Sequence, residues 1–217
     1  MKGNFKMSFY YPVSLNIFNK KCSVIGGGKV AYRKTQSLLA AGAIVRLISP
    51  DVIDKIKNLA IDNKIIWIKK EFSQELIADS FLVIAATNNR GINNQIAKFC
   101  HKNNILVNVV DNINNSNFIV NSCIKQGDLT IAISTNGKSP ALSSKIKEDL
   151  LKLFGPEYAV LLEILGEARE LAKEKIIDEQ ERNNFFRKIV RTDILEIISA
   201  GRVDEARERV KKCLLSY

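Results

Sequence analysis

The sequence predicts an α/β protein, with a doubly wound parallel sheet followed by a small α+β region and a helical C-terminal region. Three observations predict it. Residues 21–48 contain an apolar strand, a glycine turn, a helix and a second strand. Residues 81–86 and 105–110 are continuous apolar runs, typical of parallel strands buried on both faces. Beyond residue 117 this alternation gives way to a hairpin pattern and then to helices, so we expect domains over 1–117, 118–154 and 155–217.

The glycine turn is the strongest local signal. Gly26, Gly28 and Ala31 fit the pattern G-x-G-x-x-[GA] of dinucleotide-binding loops. The first glycine allows a sharp turn, the second lets a pyrophosphate approach the backbone, and the small third residue lets the helix pack on the strand. The following helix is predicted over Val30–Ala41, and a strand over Ile44–Ile48 completes the βαβ unit. The pattern predicts a bound dinucleotide; the alternative is a tight turn that binds nothing.

The chain on either side of this unit has its own signals. Residues 10–17, which include Pro12, resemble a strand that ends in a turn at Asn19-Lys20. Ser49 and Pro50 suit the N-cap and first position of a helix. An acidic residue near this place usually binds the adenosine ribose, and Asp51 is either that residue or a first-turn helix acid. No arginine follows directly to hold a 2′-phosphate, which favours NAD over NADP.

The next elements are a strand at 65–68, a short helix at 73–79 and a helix at 91–103. Thr87 and Asn88 follow the apolar strand 81–86, where open α/β sheets bind ligands. Asp111 ends the strand 105–110 on the same predicted edge. A carboxylate in partly apolar surroundings suits a general base, whereas an Asp before Asn112 is also common in Asx turns.

The last hundred residues have a different pattern. Strands are predicted at 118–124 and 129–134, with a turn at 126–128. Lys138 and Ser139 follow Gly137 as at the end of a P-loop, but Ala132 occupies the place of its first glycine, so we exclude that motif. Ser139 and Pro140 predict a helix start, and the remainder is helical with a break at Gly201.

Composition limits the function classes. The net charge is +10, and residues 1–118 carry 16 Lys and Arg against 7 Asp and Glu. This favours an anionic partner, although a Lys-, Asn- and Ile-rich composition alone is an alternative explanation. The sequence has no arginine cluster of the kind that binds nucleic acid. It also has no apolar run long enough to cross a membrane. The four cysteines lie far apart, which predicts buried thiols without disulfides and a cytoplasmic location. The single histidine, His101, is expected to face solvent, so no metal site is predicted.

Several segments together resemble one family. These segments are Tyr-Pro-Val at 11–13, Val-Ile-Gly-Gly-Gly-Lys-Val-Ala-Tyr-Arg-Lys at 24–34, Ala-Ala-Thr-Asn at 85–88, Asn-Val-Val-Asp at 108–111, Ser-Asn-Phe-Ile-Val at 116–120 and Gly-Lys-Ser-Pro-Ala at 137–141. In this order they resemble precorrin-2 dehydrogenase, the N-terminal module of siroheme synthase, over nearly the whole chain.

The resemblance implies a homodimer in which a Rossmann domain, a central dimerisation region and a C-terminal helical domain oxidise precorrin-2 to sirohydrochlorin with NAD. It implies that Asp111 is catalytic. The implied cofactor-binding residues are Gly26, Gly27, Gly28, Lys29, Val30, Ser49, Pro50, Asp51, Thr87 and Asn88. The residues expected to meet the anionic tetrapyrrole are Asn108, Lys138 and Ser139.

The sequence also departs from the family. Asn112 replaces the Asp or Pro that often follows the catalytic aspartate, and Thr135 stands where some members carry a phosphorylated serine. Three alternatives stay open: an enzyme that also inserts Fe²⁺ or Co²⁺ into the product, a non-catalytic NAD-sensing module, and a tetrapyrrole carrier.

Overall fold

A computed structural model describes residues 10–110 and 112–216, and the chain divides between Val120 and Asn121 into two compact units. The first unit holds a five-stranded parallel sheet in the order β3-β2-β1-β4-β5. Its elements are β1 (Lys21–Ile25), α1 (Lys29–Ala40), β2 (Ile44–Ile48), α2 (Asp54–Ile61), β3 (Ile66–Ile68), β4 (Leu82–Ala85), α3 (Arg90–Lys102) and β5 (Leu106–Val109). The predicted doubly wound α/β fold is confirmed.

Helices cover both faces of this sheet. On one face α1 and α2 pack through Ala31, Leu38 and Ile56 onto alternate residues of the strands. On the other face α3 packs through Ile96, Ala97 and Cys100 onto the remaining residues. Because both faces are covered, β4 is buried at all four positions, which explains its continuous apolar sequence.

The strand order places a topological switch between β1 and β4. In register, Ile25 of β1 lies beside Ile48 of β2 and Ala85 of β4. The chain leaves β1 towards one face and β4 towards the other, so a crevice opens above their carboxyl ends.

The second unit contains a hairpin and five helices in the residues described. The hairpin joins β6 (Ser122–Gln126) to β7 (Leu129–Ile133), and Gly127 takes a φ of 57° in its turn. The helices are α4 (Pro140–Leu153), α5 (Glu157–Lys175), α6 (Glu179–Ile189), α7 (Ile194–Ser199) and α8 (Val203–Leu215). As predicted, Gly201, at a φ of 78°, separates the last two.

Two predicted elements are wrong. Residues 10–17 form no strand: Tyr11, Val13 and Leu15 are exposed, and only Ile17 enters the core. Pro12 lacks an N–H, and no strand of the sheet pairs with this segment. Ser49 does not cap a helix either, because α2 begins at Asp54.

The delayed start of α2 has a local cause. The Ser49 hydroxyl donates a hydrogen bond to the Asp51 carbonyl at 2.6 Å, and the Ile53 N–H donates to the Gly27 carbonyl at 3.0 Å. Residues 50–53 are therefore held as a loop against the glycine turn.

Other predictions needed smaller corrections. The helix at 73–79 is a single 3₁₀ turn, Gln74–Leu76. The first hairpin strand begins at Ser122 instead of residue 118, because Phe118 packs against the core of the first unit. Within the described part of the chain, no helix is both long and apolar enough to span a membrane.

The cysteines are only partly as expected. Cys22 and Cys100 are buried, and burial raises the pKa of their thiols to about 11 and about 12. Both thiols therefore stay protonated and unreactive near neutral pH. Cys123, by contrast, is exposed, and Cys213 is half-buried. All four are free.

Candidate functional site

A cleft of about 470 Å³ opens at the carboxyl edge of the sheet in the first unit. It lies at the switch between β1 and β4, the position expected for a ligand in this fold. All the predicted cofactor-binding residues except Asp51 line it. The other lining residues are Ile25, Ile48, Lys70, Glu71, Phe72, Ala86 and Ile92.

The three glycines of the loop serve different purposes. A side chain on Gly26, which has a φ of 122°, would collide with the Ala86 carbonyl of the β4 end. One on Gly27 would collide with the Asp51 carbonyl and lie 2.9 Å from the Ser49 hydroxyl oxygen. A Cβ on Gly28 would meet nothing within 4 Å. Gly26 and Gly27 are thus required by the fold, whereas Gly28 borders open space in the cleft.

The N-terminus of α1 faces this space. Gly28 is its N-cap and provides no side-chain cap, and the first turn has no acidic residue. The first N–H groups of a helix have no acceptor within it, and they carry the positive end of the helix dipole. Lys29 adds a positive charge in the same turn. This arrangement suits the pyrophosphate of a dinucleotide.

The end of β2 is occupied by Ser49, which is 9% exposed. Its carbonyl accepts a hydrogen bond from the Trp67 indole N–H at 3.0 Å. Its hydroxyl proton is already directed to the Asp51 carbonyl. The Asp51 side chain is exposed and is not among the groups that line the cleft, so its contact with the ribose stays a prediction.

Side-chain hydrogen bonds fix the loop after β4. Thr87 donates from its hydroxyl to Asn93 Oδ1 at 2.7 Å, and Asn93 Nδ2 donates to the Thr87 carbonyl at 3.0 Å. Asn89 caps α3 by accepting from Gly91 N–H at 2.8 Å. The Thr87 hydroxyl therefore positions the loop, while Asn88 remains exposed at the cleft.

The predicted catalytic residue, Asp111, lies outside the described residues. Its neighbours are placed: Val110 N–H donates to the Ala85 carbonyl at 3.0 Å, and Asn112 N–H donates to the Val109 carbonyl at 3.1 Å. The catalytic role of Asp111, and the Asx-turn alternative, stay predictions.

The predicted substrate residues lie in different parts of the fold. Asn108, in β5, donates from Nδ2 to the Phe118 carbonyl at 3.2 Å. Ser139, in the second unit, caps α4 by accepting from Leu142 N–H at 3.2 Å, as the sequence predicted for that helix. Lys138 is exposed beside it. Contact of these three residues with a substrate stays a prediction.

Lys70, Glu71 and Phe72 line the cleft but were not predicted from the sequence. They follow β3, and Lys70 N–H donates to the Ile68 carbonyl at 2.8 Å in a tight turn at the strand end. The signal was available, because residues just after any parallel strand of this sheet lie at its ligand-binding edge. Within the described parts of the chain, no cluster of three or more His, Cys, Asp or Glu could hold a metal ion.

Family models match three consecutive parts of the chain. An "NAD(P)-binding" model covers residues 13–122, a model of the sirohaem biosynthesis protein central region covers 126–153, and one of the sirohaem synthase dimerisation region covers 157–214. The chain belongs to the siroheme synthase family. The predicted resemblance is confirmed, and the NAD(P)-binding match falls on the unit that contains the cleft.

Individual relatives agree with this membership. The chain is 36% identical to siroheme synthase of Ruthia magnifica subsp. Calyptogena magnifica over 91% of its own length and 42% of the relative. It is 33% identical to siroheme synthase of Neisseria meningitidis serogroup C (strain 053442) over 94% of its length and 43% of that protein. The chain thus spans less than half of these relatives.

One solved structure aligns with nearly the whole chain. SirC, a precorrin-2 dehydrogenase, aligns with a TM-score of 0.77 at 26% identity. The alignment covers 94% of this chain and 100% of SirC. This siroheme synthase family member therefore shares the fold of SirC over the full length of that protein.

Proposed function

We propose that this protein oxidises precorrin-2 to sirohydrochlorin with NAD⁺ as the oxidant. The observation that carries the proposal is the cleft above β1 and β4, where the uncapped α1 N-terminus and the open space at Gly28 fit a dinucleotide. The match to SirC over that protein's full length supports the reaction, because SirC is itself a precorrin-2 dehydrogenase.

Different residues of the cleft would bind different parts of the dinucleotide. Gly27, Gly28, Lys29 and Val30 would hold the pyrophosphate through backbone N–H groups and the lysine charge. Ser49 and Pro50, after β2, would contact the adenosine side. Thr87 and Asn88, after β4, would border the nicotinamide side. When bound, NAD⁺ supplies the hydride acceptor for the oxidation.

The reaction removes a hydride and a proton from precorrin-2, so one proton must be accepted in addition to the hydride. Asp111 follows β5, which neighbours β4, and a carboxylate there would accept or direct that proton. The apolar groups of the cleft, Ile25, Ile48, Phe72 and Ile92, would exclude water from the reacting atoms.

The assembly and the substrate follow from the rest of the chain. We propose a homodimer, since residues 157–214 match a dimerisation region, with a mass twice 24.4 kDa. Precorrin-2 is an anionic tetrapyrrole, which suits the basic N-terminal half. The scattered free cysteines suit a cytoplasmic enzyme.

Anaerobic absorbance spectroscopy tests the activity. Precorrin-2 is mixed with the protein, with and without NAD⁺, and Fe²⁺ is added afterwards. We expect NAD⁺-dependent formation of sirohydrochlorin. A further protein-dependent change in the absorbance spectrum after Fe²⁺ is added would show that the protein also inserts iron into sirohydrochlorin. Binding of NAD⁺ without any tetrapyrrole oxidation would contradict the proposal and support the sensing-module alternative.

The role of Asp111 is tested separately with Asp111→Asn. General acid–base groups contribute about 100-fold or more to a rate. We therefore expect turnover to fall at least about 100-fold, while NAD⁺ binding, measured by calorimetry, stays within about twofold. Asp62→Asn, an exposed change on the surface of the same unit, is the control. Full turnover of Asp111→Asn would remove Asp111 from the mechanism.

A further inference from the structure

The adenosine end of the cleft has an unusual distribution of charge. Dinucleotide sites of this fold usually bind the adenosine ribose with a carboxylate after the second strand. Here that place holds Ser49, whose hydroxyl donates to the backbone carbonyl of Asp51 and whose carbonyl accepts from the Trp67 indole N–H. Asp51, the nearest carboxylate along the chain, does not line the cleft, so the ribose hydroxyls need an acceptor from another segment.

The segment after β3 supplies one. Among the described residues that line the cleft, Glu71 is the single carboxylate, and Lys29 and Lys70 are the only other charged groups. Glu71 is exposed, so its carboxylate is free to meet a ligand. Its side chain makes no hydrogen bond or ion pair within residues 10–110 and 112–216.

The geometry of the sheet places this carboxylate at the correct end. The glycine loop follows β1, and β3 lies two strands away, roughly 10 Å at the usual strand spacing. A dinucleotide with its pyrophosphate at Gly28 therefore extends its adenosine over β2 towards β3. The Ser49 N–H, which donates to the Ile68 carbonyl at 3.2 Å, joins these two strand ends.

The neighbouring lysines are not equivalent. The Lys69 ammonium lies 5.9 Å from the centre of the Trp67 ring, and Lys69 does not line the cleft. Lys70 does line it and would attract a 2′-phosphate. Glu71 opposes that attraction, and of the two side chains only Glu71 can accept hydrogen bonds from free ribose hydroxyls.

We propose that Glu71 binds the ribose hydroxyls of the adenosine and makes this protein select NAD over NADP. This specificity rests on the proposed function, since it assigns one residue of the same dinucleotide site. A 2′-phosphate would remove one hydroxyl donor and place its negative charge beside the carboxylate. Both effects would weaken the binding of NADP relative to NAD.

The test measures NAD⁺ and NADP⁺ binding by calorimetry for the full chain and three variants. We expect the unaltered protein to bind NAD⁺ at least tenfold tighter than NADP⁺. Glu71→Gln should weaken NAD⁺ binding roughly tenfold, as loss of a charged hydrogen-bond acceptor does, and reduce the NAD⁺ preference by a larger factor. Lys70→Gln should keep or increase the preference. Glu75→Gln, which removes an exposed carboxylate outside the cleft, should change neither affinity.

The outcomes separate this proposal from the proposed function. If Glu71→Gln keeps the NAD⁺ to NADP⁺ ratio within twofold while precorrin-2 oxidation continues, Glu71 has no selective role and the dehydrogenase stands. Preference of the unaltered protein for NADP⁺, lost in Lys70→Gln, would assign the site to Lys70 and overturn the inference. Failure of the folded protein to bind either dinucleotide would overturn both.

Discussion

At the residue scale, two adjacent glycines have different physical duties. Gly27 packs against the backbone of Asp51, which belongs to the loop before α2, whereas Gly28 faces open space. The sequence motif treats both as parts of one fingerprint. Only the structure distinguishes the glycine that the fold needs from the glycine that a ligand would need.

This difference predicts a contrast between two substitutions. Gly28→Ala should leave the melting temperature almost unchanged, because its φ of −92° and ψ of −173° suit alanine. It should still weaken NAD⁺ binding about tenfold or more if the pyrophosphate fills that space. Gly27→Ala should destabilise the fold by about 1–3 kcal/mol through overpacking.

Thermal unfolding and calorimetric NAD⁺ titration measure the two effects. Each variant is the control for the other, since both add the same methyl group one residue apart. Normal NAD⁺ affinity in Gly28→Ala would contradict the placement of the pyrophosphate. A fully stable Gly27→Ala would contradict the close packing of the loop.

At the element scale, one ion-pair cluster links β1, β2 and the segment before β4. Asp79, before β4, pairs with Lys21 of β1 at 2.7 Å and with Arg46 of β2 at 2.6 Å. Arg46 also donates to the Ser80 hydroxyl at 3.1 Å. None of these residues lines the cleft, so the contribution of the cluster is to stability.

The cluster predicts a pH dependence of stability. Hydrogen bonds from Lys21 and Arg46 lower the pKa of Asp79 from 3.8 to about 2. A lowered folded-state pKa stabilises the protein above the unfolded-state value, and this stabilisation is lost as pH falls through 3.8 towards 2. Because Asp79 is half exposed, we expect less than about 1 kcal/mol.

Urea unfolding between pH 7 and pH 2 measures this contribution. Asp79→Asn should lower stability at pH 7 and show a smaller further loss in acid than the unaltered protein. Asp62→Asn is the control, because the Asp62 side chain is exposed and has no ion pair within the described chain. Equal acid sensitivity of the two variants would show that the cluster contributes nothing.

At the scale of the whole molecule, charge is unevenly distributed. The N-terminal half, which holds the cleft, carries most of the +10 net charge, and the helical half is nearly balanced. Such a field attracts an anionic substrate over a distance set by the salt concentration. The composition alone left open whether this charge has a function.

The charge predicts that salt weakens substrate capture. The screening length falls from about 10 Å at 0.1 M salt to about 3 Å at 1 M. We expect the KM for precorrin-2 to rise several-fold between 0.05 and 0.5 M NaCl, with kcat nearly constant. Steady-state oxidation at saturating NAD⁺ measures this. A KM that does not change with salt would indicate that the positive charge reflects composition alone and does not attract the substrate.

The parallel strands, the βαβ unit and the glycine loop could be predicted from the sequence, because buried parallel strands are continuous apolar runs and a tight turn needs glycine. The sequence also predicted the N-cap at Ser139 and the helix break at Gly201, because both depend on the local residue type alone. It misplaced the start of α2, because the hydrogen bonds of Ser49 and Ile53 join segments that only folding brings together.

Tertiary structure alone decided which residues share the cleft. Lys70, Glu71 and Phe72 are more than 40 positions from the glycine loop, and they reach the same cleft because parallel strands align their carboxyl ends. The segment at 10–17 has a strand-like pattern but no partner, and pairing is a property of the sheet. Local sequence specifies the turns and runs, whereas the order of the strands decides which of them meet.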